Sequence, residues 1–237
     1  VWYTSGSGCR KVFAANAVTT LFNRVGQYCG DLDALATADD PGLRELAAAR
    51  EQYEGSLAEA ARCDFTTVQE RFIEFLESTA GQRFLEGDDE RGVPPLTHVL
   101  VDEYQDVNPL QEKIYLTLAA TMDESSITVV GDDDQSLYRF RGATVDSLIE
   151  FPERVVRRLS VDEDSVETVH LRSNYRSRPG IVRWINRFIG QHPVMQGPGA
   201  RAPGKEPMRP VRPDTDAEAV TALTDRDEAA LATRFAD

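Results

Sequence analysis

The chain has 237 residues, 41% of them apolar, and a formal net charge of -14 at pH 7. That length and apolar share allow a sizeable core in one large or two modest domains. The acidic balance speaks against a generic nucleic-acid binder, which is normally basic, although a local positive groove on an acidic body stays compatible with it. No apolar run approaches the ~20 residues that span a bilayer and no signal-peptide pattern opens the chain, so no membrane partner is expected and the cytoplasm is the expected location. Cys9, Cys29 and Cys63 are odd in number and far apart, which fits neither a disulfide framework nor a zinc site. Lysine occurs only at Lys11, Lys113 and Lys205. Such an acid-rich, lysine-poor surface suits concentrated salt, where screening is strong.

Residues 1–10 read as a loop. Gly6, Gly8 and Lys11 invite a phosphate-loop reading, but the spacing is not G-x-x-x-x-G-K-[ST] and no buried strand precedes it. Val18, Leu21, Phe22, Val25 and Cys29 recur at helical spacing, closed by Gly26 and Gly30. A second helix is expected from Leu43 to Ala61. Asp64 then caps a third, whose Phe65, Val68, Phe72, Phe75 and Leu76 make a bulky apolar face expected to pack in the core. Residues 87–95 form a loop rich in Gly, Asp, Glu and Pro.

The run Val99-Leu100-Val101 reads as a buried strand, and Asp102-Glu103 stand where it ends. Such a pair either caps the next helix or handles a nucleotide's metal and an attacking water, since ligands of open α/β sheets bind beyond the carboxyl ends of strands. Asn108 and Pro109 signal a helix start. Ile127–Val130 is a second buried strand, running into Gly131-Asp132-Asp133-Asp134-Gln135, and a short helix is expected from Thr144 to Phe151. Val166–Leu171 alternates as a third strand, running into Arg172-Ser173-Asn174-Tyr175-Arg176-Ser177. Pro179 then starts a helix with Ile181, Trp184, Ile185, Phe188 and Ile189 on one side, stopped by Gly190. This alternation implies an α/β fold with a parallel sheet flanked by helices. Three strands ending in chemically capable residues at one edge favour the ligand-site reading over the capping one. From Gly190 to Pro213 the chain is rich in Gly and Pro and reads as a linker; Glu218–Phe235 reads as an amphipathic helix or the opening of a second domain.

Three blocks, Val101–Asp106, Gly131–Ala143 and Leu171–Ser177, together resemble the UvrD/Rep/PcrA family of superfamily 1 DNA helicases. The resemblance is clear from about Asp64 to Gly190. It implies a RecA-like P-loop NTPase motor domain using ATP and Mg²⁺ to move 3′ to 5′ along single-stranded DNA and open duplex junctions, in repair or replication. In that family's terms, Asp102 is the Mg²⁺ carboxylate, and Glu103 is the base orienting the attacking water. Gln135 senses the γ-phosphate. Tyr175 stacks on adenine, and Arg176 meets charge developing on the transferred phosphate. Tyr138 and Phe140 fall where bases stack, with Arg141 beside them. Core packing for the tyrosines, an ordinary ion pair for Arg141 and a surface charge for Arg176 are the structural alternatives.

The resemblance also has gaps. No Walker A loop and none of the family's later motifs are visible. The chain therefore resembles the middle of a helicase, incomplete and expected to be inactive alone. The implied organisation is a mostly helical, 1B-like part over 1–63, motor domain over 64–190, and linker with the start of a second motor domain over 191–237. Competing readings are a helicase-nuclease subunit of the AddA/RecB type, working with other repair or recombination subunits, and a non-catalytic DNA-binding module that has lost its phosphate loop.

Overall fold

The computed structural model describes residues 8–120, 126–135, 148–197 and 201–213. The chain divides into two compact units, Val1–Val166 and Glu167–Asp237. The first unit opens with helices α1 (Gly8–Gln27), α2 (Leu32–Ala36) and α3 (Pro41–Glu59). Gly8, Cys9 and Arg10, expected in a loop, already belong to α1. Asp31 caps α2 by accepting from the Ala34 N–H, and Asp40 caps α3 from just before its first-turn proline. Cys29 takes the left-handed conformation after α1, with φ 53°. Helix α1 ends at Gln27, between the two glycines expected to close it, and Gly26 serves a second need as well. A Cβ there would collide with the Thr66 methyl and come within 2.8 Å of Glu70 Oε1, so glycine lets α1 approach α4.

Helices α4 (Phe65–Glu77) and α5 (Thr79–Glu86) follow. The expected apolar face of α4 divides. Ile73 and Leu76 enter the core with Leu85, Leu110 and Ile114, whereas Phe65 is 90% exposed and Val68 and Phe75 are exposed as well. The helix is thus turned about one residue from the expected stripe, because its partner helix meets the Ile73–Leu76 line. Phe72 packs against the edge of that core cluster, and from it the rings run outward to Phe75 and then Phe84, with successive centroids 6.2 and 6.1 Å apart.

That partner is α6 (Pro109–Ala120), packed on both sides. Leu110 and Ile114 meet α4 and α5, while Leu116 and Ala119 join Val99, Val101, Tyr104, Val107, Phe151 and Val155 in a second cluster. Strands β1 (His98–Val101) and β2 (Ser126–Val129) pair in parallel, Val99 opposite Ile127 and Val101 opposite Val129. Only alternate residues of β1 are covered. Leu100 is 77% exposed, so the strand expected to be buried outright is buried on one face. Helix α7 (Phe151–Leu159) presents Phe151 and Val155 to the same cluster; residues 144–147 of the helix expected over 144–151 lie outside those described.

In the second unit, residues 167–171 form no ladder, contrary to the expected third strand, and Leu171 is 82% exposed. An alternating pattern becomes a strand only when a neighbour takes its N–H and C=O groups. Here β4 (Arg209–Pro210) reaches no further than β3 (Ser173–Asn174), which it meets in parallel. Helix α8 (Pro179–Gln191) buries Pro179, Val182 and Ile189; Trp184 and Phe188 stack at 5.6 Å on its exposed side. Among the described residues, no helix is long and apolar enough to cross a membrane.

A buried cation fastens the N-terminal helices. Arg50 of α3 is 4% exposed, and its guanidinium reaches Glu54 at 2.7 Å, Glu70 of α4 at 2.6 Å and the Phe22 carbonyl of α1 at 3.3 Å. Arg50→Met keeps the stem but leaves both carboxylates unpaired. It should cost about 2–3 kcal/mol, below the usual figure for a fully buried pair because both acids keep some contact with water. The urea midpoint of helical circular dichroism should fall accordingly. An unchanged midpoint would show that the triad stabilises nothing.

Asp64, the α4 cap, accepts from the Thr67 N–H at 2.7 Å and the Tyr53 hydroxyl at 3.0 Å. Burial alone would raise its pKa, but those hydrogen bonds, with the Arg50 charge nearby, hold it below its ordinary 3.8. A depressed carboxylate contributes stability above its unfolded pKa and loses it as pH falls through the folded one. Asp64→Asn keeps a capping oxygen without the charge. The stability gap between wild type and variant, ~1 kcal/mol at pH 7, should therefore close below about pH 4. Thermal melts from pH 7 to 2 read this directly, and a pH-independent gap would remove Asp64 from the acid response.

Candidate nucleotide site

The parallel pairing does more than close a core. It brings two turns to one edge and then fastens them past the ladder. The Val130 N–H donates to the Val101 carbonyl at 2.8 Å, and the Tyr104 N–H donates back to the Val130 carbonyl at 2.9 Å. Asp102 and Glu103 lie on the first turn and Asp132–Gln135 on the second, as the shared-edge argument requires for these two strands.

Tyr104 anchors the first turn. It is fully buried, meets Phe151 edge-on at 4.8 Å, and donates its hydroxyl to Glu112 Oε1 at 2.7 Å. Burial, then that hydrogen-bonded carboxylate, raise its pKa, so the phenol remains a donor. Arg154 of α7 reaches the same Glu112 oxygen at 3.0 Å and Glu150 at 3.1 Å. Glu103, just before this anchor, sits in the left-handed region at φ 52°, ψ 43°. Few non-glycine residues adopt that conformation, and it is a form of strain that clusters at functional sites. Its N–H donates to Asp102 Oδ1 at 2.8 Å, and both side chains are exposed.

The second turn is braced from within. Asp132 Oδ1 accepts from the Asp134 N–H at 3.2 Å, and Oδ2 accepts from Gln135 Nε2 at 2.7 Å. The carboxylates of Asp132, Asp133 and Asp134 come within 4.8 Å of one another. Asp132 spends both oxygens on its own loop, so the cluster makes a brace rather than a ready cation cage. Asp102 fits a metal better. It is a hard-oxygen carboxylate, exposed at a strand end, with one oxygen engaged by a backbone N–H, and Mg²⁺ is usually held by one or two carboxylates with waters and phosphates.

Gln105 is the residue sequence reasoning passed over. Only 2% exposed, it donates from Nε2 to Glu103 Oε2 at 2.6 Å and accepts at Oε1 from the Asp132 N–H at 2.9 Å. The available signal was a glutamine two residues beyond the acid pair, inside a turn that must satisfy its own backbone.

In the second unit, Asn174 builds the turn that presents Tyr175 and Arg176. Its Oδ1 accepts from the Arg176 N–H at 3.1 Å and the Ser177 N–H at 2.8 Å, a side-chain turn leading into α8. Tyr175 is 72% exposed, which sets aside the core-aromatic alternative. Arg176 is exposed, and its carbonyl accepts from Arg212 Nη1 at 3.0 Å. Asn186 of α8 exchanges two hydrogen bonds with the Met208 backbone, at 2.8 and 3.1 Å, and so seats the segment that pairs with β3. Tyr138, Phe140 and Arg141 lie outside the described residues.

Comparison with known proteins identifies a family. The family model described as UvrD/REP helicase N-terminal domain matches residues 12–155. The putative ATP-dependent DNA helicase YjcD of Bacillus subtilis is 34% identical over 134 residues, 56% of this chain and 15% of that protein. DNA helicase II of Escherichia coli is 39% identical over 93 residues, 39% of this chain and 12% of its own length. ATP-dependent DNA helicase UvrD1 of Mycobacterium tuberculosis is 31% identical over 189 residues, 75% of this chain and 22% of its own length. The chain thus spans less than a quarter of each of these relatives. With more than half of its residues matched by the family model, it belongs to the UvrD/REP helicase family, within the N-terminal domain.

Proposed function

We propose that the chain supplies part of the RecA-like motor of an ATP-dependent, 3′ to 5′ DNA helicase acting in repair or replication. The supporting observation is the joined pair of turns, in which Asp102 and Glu103 share a sheet edge with the loop carrying Gln135. Asp102 would hold Mg²⁺, which when bound supplies positive charge to the ATP phosphates. Glu103 orients and deprotonates the attacking water, helped by a backbone that holds its carboxylate at the end of β1. Gln135 reads the γ-phosphate with the amide that otherwise rests on Asp132. Tyr175 stacks on adenine, and Arg176 stabilises charge that grows on the transferred phosphate. Both are exposed on one short, Asn174-braced turn, as residues that meet a ligand need to be. Contact with single-stranded DNA is assigned to Tyr138, Phe140 and Arg141 on sequence alone. In domain terms, residues 1–63 form the 1B-like region, 64–190 the motor portion, and 191–237 the linker toward a second motor domain.

The full-length protein should hydrolyse ATP when single-stranded DNA is added and separate duplexes carrying a 3′ tail. Glu103→Gln should lower the hydrolysis rate at least ~100-fold while leaving nucleotide affinity nearly intact. Absence of any DNA-stimulated hydrolysis in the full-length protein would sink the reading.

Arg176→Ala should slow turnover by about 10³-fold or more. Affinity should suffer far less, because the guanidinium meets charge present mainly in the transition state. Equal losses in both would make Arg176 a ground-state binding residue. The 237-residue chain on its own carries no G-x-x-x-x-G-K-[ST] segment and should show no DNA-stimulated turnover. Robust turnover abolished by Glu103→Gln would contradict that expectation.

A further inference from the structure

We propose that Gln105 is the positioning residue that aims the Glu103 carboxylate and ties its aim to the loop carrying Gln135. This rests on the reading of Glu103 as the base. The amide of Gln105 has one possible orientation. Oε1 must face the Asp132 N–H, which can only donate, at 2.9 Å; Nε2 is then turned to Glu103 Oε2, which in its ionised form can only accept, at 2.6 Å. Neither end can be exchanged without setting donor against donor or acceptor against acceptor.

The amide has little room to move. Gln105 is 2% exposed, and a Cβ on Gly131 would come within 2.8 Å of its Oε1 and 3.2 Å of its backbone N. Glycine at 131 is what lets the second turn close onto the Gln105 side chain. Beyond that contact, Asp132 Oδ2 accepts from Gln135 Nε2 at 2.7 Å. A continuous chain of hydrogen bonds and one backbone segment therefore runs Glu103–Gln105–Asp132–Gln135. Any ligand that draws the Gln135 amide away from Asp132 acts on the residue whose N–H fixes Gln105, and through Gln105 on the Glu103 carboxylate. Glu103 is itself exposed at a left-handed backbone position, so the Gln105 amide is what restrains its side chain.

A buried glutamine can also be a core amide that only needs its polar ends satisfied, and the test separates the two roles. Gln105→Met keeps the side-chain length and removes both hydrogen bonds. Gln105→Glu keeps an acceptor for the Asp132 N–H but sets a carboxyl against Glu103, able to donate only when protonated. In the full-length protein, the Met variant should lose about 10- to 100-fold in kcat with KM for ATP within about twofold, the signature of a misaimed catalytic group. The Glu variant should be similarly slow at neutral pH. Without nucleotide, the Gln105 side-chain amide protons of the 237-residue chain should exchange slowly, and their NMR shifts should move on Glu103→Ala. Normal kcat in a folded Met variant or in the Glu variant overturns the proposal. If the Met variant does not fold, kcat of the Glu variant and the amide shifts decide. Glu103→Gln is run alongside. If it leaves hydrolysis intact, the base assignment fails and this proposal with it; if it abolishes hydrolysis while both Gln105 variants are normal, only the Gln105 role is lost.

Discussion

The parallel pairing of β1 with β2 is the constraint on which the site depends. Two backbone bonds beyond the ladder, Val130 to Val101 and Tyr104 to Val130, carry the pairing into the turns. Without them, the relation of Asp102-Glu103 to Asp132–Gln135 would rest on the ladder below and on the Gln105–Asp132 bond alone. With them, the turns share one edge, and Tyr104, buried against Phe151 and bonded to Glu112, holds the first turn down as a plug. Helix α6 supports that arrangement from beneath. It faces α4 and α5 with one side and the sheet cluster with the other, so the N-terminal helices and the strand ends share one support.

Much of this was legible in the residues. The Val99–Val101 and Ile127–Val130 runs, the Asn108-Pro109 helix start and the Asp64 cap all carry local signals, and each appears within a residue or two of its expected place. The failures share one cause, since they concern partners that local patterns do not name. The alternation at Val166–Leu171 describes a strand in search of a neighbour, and β4 reaches only as far as Ser173 and Asn174. The aromatic line of α4 is apolar at helical spacing, yet tertiary contact chose the adjoining Ile73–Leu76 line. Gly26 does lie at the end of α1 as expected, but its second task, admitting the close approach of α4, has no local signal.

The site was legible in its acids and less so in its supports. Carboxylates at strand ends are visible to any reading that knows where α/β sheets bind ligands. Gln105 and Asn174 are not, because a neutral amide carries no charge signature and its value lies in two partners distant from its own position or hidden in a turn. Both act alike. One side-chain oxygen or nitrogen satisfies backbone N–H groups or a carboxylate, and a reactive neighbour is thereby held at the surface.

The choice of amides as supports follows from the charge economy of the molecule. A lysine or arginine beside Glu103 would hold it as firmly, and through a stronger, charge-assisted bond. It would also neutralise the base and compete with the cation that Asp102 is proposed to bind. The bonds described to Glu103 and Asp102 come from an amide side chain and a backbone N–H, which orient a carboxylate and leave its charge in place. The guanidinium groups of Arg50 and Arg154 are deployed elsewhere, between Glu54 and Glu70 and between Glu112 and Glu150, where they fasten helices. A chain with 40 acids and 26 Lys and Arg has few cations to spare. It uses these two for packing, whereas the described bonds to Asp102 and Glu103 come from neutral groups, at the edge where a metal–nucleotide complex is proposed to bind.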